Sequence, residues 1–149
     1  MSSCFQSYFH CVFSTKHREK LVTAETQPLL YAYLGGIARK DQIVPIAIGG
    51  MPDHVHLLLA MPSMLLVPKA MNRIKGVSSR WLNEYHQFQG RFSWQEGYGA
   101  FTIGYSQINR TVAYIHGQER HHDKFTFEQE YMKFLKSHGV KFDPHTIWD

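Results

Sequence analysis

Two histidines one residue apart, His54 and His56, open an otherwise apolar run that continues to Met61. In a strand, successive side chains alternate, so both imidazoles leave one face with Leu58 while Val55, Leu57 and Leu59 leave the other. Two imidazoles one pleat apart can converge on a single metal ion. They do not complete a catalytic site, which needs a third protein ligand and open positions for substrate. Without that ligand, His54 and His56 read equally as two partly exposed strand histidines.

A second constellation lies in a helix expected from about Gln107 to His121, whose apolar stripe is Ile108, Val112 and Ile115. Gln107, Arg110, Tyr114, Gln118 and His121 fall together, off that stripe. Tyr114 and Gln118 are four residues apart, one turn along the same surface. A tyrosine hydroxyl is a weak nucleophile near neutral pH because its ordinary pKa is far higher. A divalent metal bound by His54, His56 and Gln118 could hold a phosphodiester and stabilise the charge that builds up when Tyr114 attacks it. Neutral imidazoles and an amide oxygen suit Mg²⁺ or Mn²⁺ in such an open site. The ordinary alternative is an amphipathic helix whose tyrosine packs at the rim.

The elements that must position these groups follow from periodicity. Phe5 to Ser14 alternates as a half-buried strand and places His10 on the face opposite Cys11 and Phe13. Thr26 to Arg39 has helical spacing, Ile43 to Ile48 is a strand, and Gly49-Gly50-Met51-Pro52 is read as a turn. Asp53 to Met61 is the histidine strand. A long helix from about Leu66 to Tyr85 follows, with a core stripe of Val67, Ala70, Met71, Ile74, Val77, Trp81 and Tyr85. After a turn-rich segment, Gln89 to Gly97, come a strand from Ala100 to Tyr105, the tyrosine helix, and a short helix opened by the capping pair Thr126 and Gln129. Strand-helix-strand-strand-helix-strand is the order of the split βαβ, or ferredoxin-like, α+β fold: an antiparallel sheet with helices on one face, here with an added C-terminal helix. The 149 residues are expected to form a single domain.

The formal net charge of +4 permits a polyanionic partner without demanding one. Candidate nucleic-acid contacts are His10, Lys16, Lys69, Arg73, Arg80, Arg110, Arg120 and His121, with His122 and Lys124 adding to the positive surface near Tyr114. No apolar run reaches membrane-spanning length and the first residues lack a secretory leader pattern, so the expected compartment is the cytoplasm. Cys4 and Cys11 are read as free thiols.

Met51-Pro52-Asp53-His54-Val55-His56-Leu57-Leu58-Leu59 resembles the histidine-hydrophobic-histidine signature of single-tyrosine HUH transposases. The similarity extends, in matching order, through Tyr8 to Lys16, Ile74 to Arg80, Trp94 to Phe101, Tyr114 to His122, Phe125 to Glu128 and Gly139 to Asp149. It implies transposition of an insertion sequence through single-stranded DNA. Tyr114 would attack a DNA phosphate, leaving a 5′-phosphotyrosine link and a free 3′-hydroxyl, and a 3′-hydroxyl would later attack that link. By the same resemblance His54, His56 and Gln118 would be the metal ligands. The partners implied are DNA hairpins near the element ends and a second copy of the chain, with the tyrosine helix of one subunit completing the other's metal site. Gly117 departs from the asparagine often found in the family beside the ligand, and glycine loosens a helix by roughly 1 kcal/mol against alanine.

The family also includes domesticated relatives acting on chromosomal palindromic repeats, which is the alternative function. A histidine-triad hydrolase would need a third histidine where Leu58 stands. A replication initiator shares the same chemistry but often carries further domains. An RRM-type binding module would need an aromatic, glycine-containing motif on a central strand, and the histidine strand has none.

Overall fold

The computed structural model describes residues 1–85 and 90–149. In chain order the elements are β1 (Tyr8–Ser14), α1 (Thr26–Lys40), β2 (Val44–Met51), β3 (His54–Ala60), α2 (Val67–Tyr85), β4 (Gly99–Ile103), α3 (Ile108–His116), α4 (Gln118–His122) and α5 (Phe127–Ser137). The strands form one antiparallel sheet in the order β2-β3-β1-β4. This is the ferredoxin-like α+β arrangement expected from the element order.

Alternation along the strands sorts the sheet into two faces. Cys11, Phe13, Val55, Leu57 and Leu59 pack against Leu30, Leu34 and Ile37 of α1 and Ala70, Met71, Ile74 and Leu82 of α2. The opposite face carries Ala47 and Leu58 under Ile115 of α3. In the β1–β3 register Val12 lies opposite His56, so His10, two residues along β1, shares the histidine face.

That second face is not left open. α3, α4 and α5 lie over it, with Phe134 of α5 against both His10 and His56. A sequence period reveals that a face is polar, but not which distant segment covers it.

Several boundaries also differ from expectation. β1 begins at Tyr8, and Phe5 is exposed. β2 runs through Gly49 and Gly50 to Met51 instead of turning there. A Cβ on Gly49 would lie 2.6 Å from the Ile115 carbonyl oxygen, so this glycine serves close helix–sheet packing. In α2, Ser78 and Leu82 are buried while Tyr85, expected on the stripe, is exposed. Ser78 accepts a hydrogen bond from the Trp94 indole at 2.9 Å, which is why a polar residue is tolerated in that core. The expected turn-rich segment begins at Gln89, outside the described residues; its remainder is irregular, with Trp94 bridging to Thr15.

The expected long tyrosine helix is broken. α3 ends at His116, Gly117 lies outside helical geometry, and α4 resumes at Gln118. α5 opens on the capping pair: Gln129 N–H donates to Thr126 Oγ1 at 3.2 Å, and Thr126 N–H to Gln129 Oε1 at 3.0 Å. Among the described residues no helix is long and apolar enough to cross a membrane.

Candidate active site

β3 delivers His54 and His56 to the covered face, both fully buried. The break at Gly117 lets Gln118 sit under α4, buried, while Tyr114 remains on α3 half-exposed. α5 contributes Glu130, and these groups meet around its carboxylate. Oε1 lies 3.3 Å from His54 Nε2, 3.0 Å from His56 Nε2 and 3.2 Å from His122 Nε2. Oε2 accepts from Tyr114 Oη and from Gln118 Nε2 at 3.1 Å, and lies 3.2 Å from His121 Nε2.

Hydrogen-bond chemistry settles several orientations. A carboxylate only accepts, so Gln118 must present its NH₂ to Glu130, which turns Gln118 Oε1 toward His54 Nε2 (2.9 Å) and His122 Nε2 (3.0 Å). Asp53 Oδ1, 2.6 Å from His54 Nδ1, is likewise an acceptor, as is the Phe125 carbonyl, 2.7 Å from His122 Nδ1. Both imidazoles therefore carry hydrogen on Nδ1, and in the neutral form their Nε2 lone pairs face the centre. His56 Nδ1 is engaged at 2.8 Å by His10 Nε2, leaving its Nε2 toward the same place.

The electrostatics follow from burial and from these contacts. Burial alone would raise the Glu130 pKa, but hydrogen bonds from His122, His54 and His56 hold it below the usual carboxylate range. Burial opposes charge on His54, yet its bonds to Asp53 and Glu130 outweigh that and raise its pKa to about 9. His56 and His10 go the other way, to about 4 and about 3, chiefly because burial disfavours the imidazolium. Burial, and then the negative charge of Glu130, push the Tyr114 phenol above its ordinary range.

Acceptor atoms converging from several sides need something positive between them, a proton or a cation. Imidazole nitrogens with an amide and a carboxylate oxygen form a donor set that fits a divalent metal. By mutual distance, ligand atoms of His54, His122 and Glu130 lie within 4.8 Å of one another. His56 falls outside that triple, but its Nε2 shares the same Glu130 oxygen.

The structure thus brings together His54, His56, Tyr114 and Gln118 in a single chain. It does not bring all the basic candidates there. Lys69, Arg73 and Arg80 lie exposed on α2, which packs on the opposite face of the sheet, and Arg73 pairs with Asp41 at 2.7 Å. His10, expected as a DNA contact, is buried and lies 2.8 Å from His56 Nδ1, and it lines the cleft beside Tyr114. Lys16 is exposed in the turn after β1, and Arg120 is exposed on α4. Arg110 and His121 line a cleft beside Tyr114 of about 260 Å³, with Phe125, Lys133 and Phe134.

Sequence reasoning missed Glu130 and the siting of His122. The signal available was a carboxylate in the first turn of the capped α5, three residues from Phe127, on the side that an apolar stripe would claim.

Residues 3–118 match the family described as Transposase IS200 like. The chain is 29% identical over 125 residues to ISDra2 transposase TnpA of Deinococcus radiodurans, covering 80% of this chain and 87% of that protein. It is 27% identical over 101 residues to the transposase for insertion sequence element IS200 of Salmonella typhimurium, covering 64% and 66% respectively. In fold it is similar to a candidate transposase from Deinococcus radiodurans R1 (TM-score 0.63, 24% identity, 79% of this chain and 95% of that one). It is also similar to a REP-associated tyrosine transposase bound to a REP hairpin (TM-score 0.60, 17% identity, 97% and 93%). His122 and Glu130 lie beyond the family-matched stretch. With more than three-quarters of its residues matched, the chain belongs to the IS200-like transposase family and is a DNA-processing enzyme of that kind.

Proposed function

We propose that this transposase cuts and rejoins single-stranded DNA with Tyr114 as nucleophile and a divalent metal held by His54, His56 and Gln118. The observation that carries the reading is the shared carboxylate. The Tyr114 hydroxyl and the Gln118 amide bond one oxygen of Glu130, and His54 and His56 face the other.

In the proposed reaction Tyr114 Oη attacks phosphorus in line with the 3′-oxygen. The phosphorus–O3′ bond breaks and a 5′-phosphotyrosine bond forms, while Tyr114 Oη loses its proton to solvent and the departing 3′-oxygen takes one from solvent to leave as a hydroxyl. A 3′-hydroxyl then attacks the same phosphorus and releases Tyr114, so bond energy is conserved and no external source is needed. When bound, Mg²⁺ or Mn²⁺ would supply Lewis-acid polarisation of the phosphate and stabilise its developing charge. Tyr114 donates its hydroxyl hydrogen to Glu130, which fixes where the oxygen sits. Arg110 and Lys133 border the cleft on which Tyr114 opens and would meet the phosphates on either side.

A DNA hairpin is bound by the REP-associated relative of similar fold, and we carry a hairpin to this chain as a proposed partner. The proposed homodimer rests on the family resemblance alone. The experiment is incubation with single-stranded DNA taken from either side of the gene, with Mg²⁺ or Mn²⁺. A covalent protein–DNA adduct is expected, lost in Tyr114→Phe and on chelation. An adduct that survives Tyr114→Phe overturns the nucleophile assignment.

A further inference from the structure

The donors that converge at this site outnumber the ligands so far assigned. Glu130 is 4% exposed, and its Oε1 faces three Nε2 atoms at hydrogen-bond distance, those of His54, His56 and His122. His122 is held as a ligand would be: its Nδ1 is tied to the Phe125 carbonyl, and its Nε2 points at Gln118 Oε1 and Glu130 Oε1. His54 is anchored in the same manner through Asp53, and the His56 ring is held through Nδ1 by His10 Nε2 at 2.8 Å. Anchoring the remote nitrogen fixes tautomer and ring direction, which is how protein metal sites orient imidazole ligands.

Two roles compete for Glu130. As a purely structural hub, a buried carboxylate needs positive partners, and protonated imidazoles would serve. In that role Gln118 Oε1 would accept from protonated His54 and His122, so its orientation fits either role, and the number of converging donor atoms is what favours a cation. An amide oxygen, a carboxylate oxygen and three imidazole nitrogens directed at one point form a coordination set.

We propose that Glu130 and His122 are ligands to the same metal as His54, His56 and Gln118, so that one chain supplies the whole site and Glu130 ties it to Tyr114. This rests on the metal-assisted reading of the site and extends its ligand set. A third imidazole shifts preference from Mg²⁺, which favours oxygen and water, toward Mn²⁺. It also makes α5 part of the site, although α5 lies outside the family-matched residues.

The test is Mn²⁺ binding to the full chain by titration calorimetry, with pulsed electron paramagnetic resonance on the bound ion. One Mn²⁺ is expected in the unaltered protein, carrying couplings from three imidazole nitrogens. Glu130→Gln and His122→Asn should each weaken binding by at least about tenfold, the scale seen for groups supporting a metal. Arg73→Ala, on the far side of the sheet, should leave it unchanged. If His54→Ala abolishes binding while Glu130→Gln and His122→Asn stay within twofold of the unaltered chain, the enlarged ligand set is wrong and the metal reading stands. If the unaltered chain binds no Mn²⁺, the metal reading falls and takes this proposal with it. Should either variant fail to fold, the nitrogen count on the unaltered protein decides: couplings from only two imidazoles overturn the role of His122.

Discussion

Glu130 Oε1 lies 3.0 Å from His56 Nε2, although 74 residues separate the two in the chain. This contact fastens α5 across the histidine strand, and the other oxygen of the same carboxylate receives the Tyr114 hydroxyl. Tyr114, the proposed nucleophile, and the histidine pair are therefore linked through one side chain within one subunit. Three imidazoles around it keep that carboxylate below the usual range, so it stays an anion in the interior.

A site assembled within one chain predicts the outcome of subunit mixing. Tyr114→Phe and His54→Ala, each inactive in DNA cleavage, should stay inactive when co-expressed and co-purified, because every chain then carries one lesion. Sites shared between subunits would instead restore activity in the mixed species. Recovered adduct formation would show that Tyr114 works on a partner's histidines.

Asp53 touches His54 only through Nδ1, at 2.6 Å, so its role is to aim the other nitrogen. Asp53→Asn can offer its amide hydrogens to Nδ1 and so favour the wrong tautomer. Metal affinity should fall by about 10- to 100-fold. Mn²⁺ calorimetry measures this, and circular dichroism should report an unchanged fold.

Gly49 is where α3 comes closest to the sheet. A methyl group there would meet the Ile115 carbonyl oxygen at 2.6 Å, and the backbone would have to move. Gly49→Ala should cost about 1–3 kcal/mol of stability. It should also lower cleavage by displacing Tyr114, one residue from Ile115. An unchanged denaturation midpoint would refute the close-packing role.

Arg110 and Lys133 line the cleft beside Tyr114 and stand outside the proposed ligand set. Each replaced by alanine should weaken single-stranded DNA binding and reduce the slope of log affinity against log salt by about 0.7 for every phosphate left without its cation. Mn²⁺ affinity should not change. Fluorescence anisotropy over a salt series separates this from a folding defect, which would lower both.

Much of the fold is legible in the order of residues. A period of two puts His54 and His56 on one face of β3 and Leu57 and Leu59 on the other, because strand side chains must alternate. The capping pair Thr126 and Gln129 marks the start of α5, since a helix end leaves N–H groups that need local acceptors. Tyr114 and Gln118 stand out by falling off the apolar stripe. These are local rules, carried by neighbours within a turn or a pleat.

What the tertiary structure alone decided is non-local. Nothing in the spacing of Glu130 says that its carboxylate crosses to a strand more than seventy residues earlier, or that His122 turns its Nε2 inward. Nor does helical periodicity foresee that the helix stops at Gly117, letting Gln118 be buried while Tyr114 stays at the cleft. Periodicity reports the face a residue occupies; which groups meet across that face depends on how separate elements pack. The histidine pair was written in the sequence, and the carboxylate that joins it to the tyrosine came only with the packing of α5.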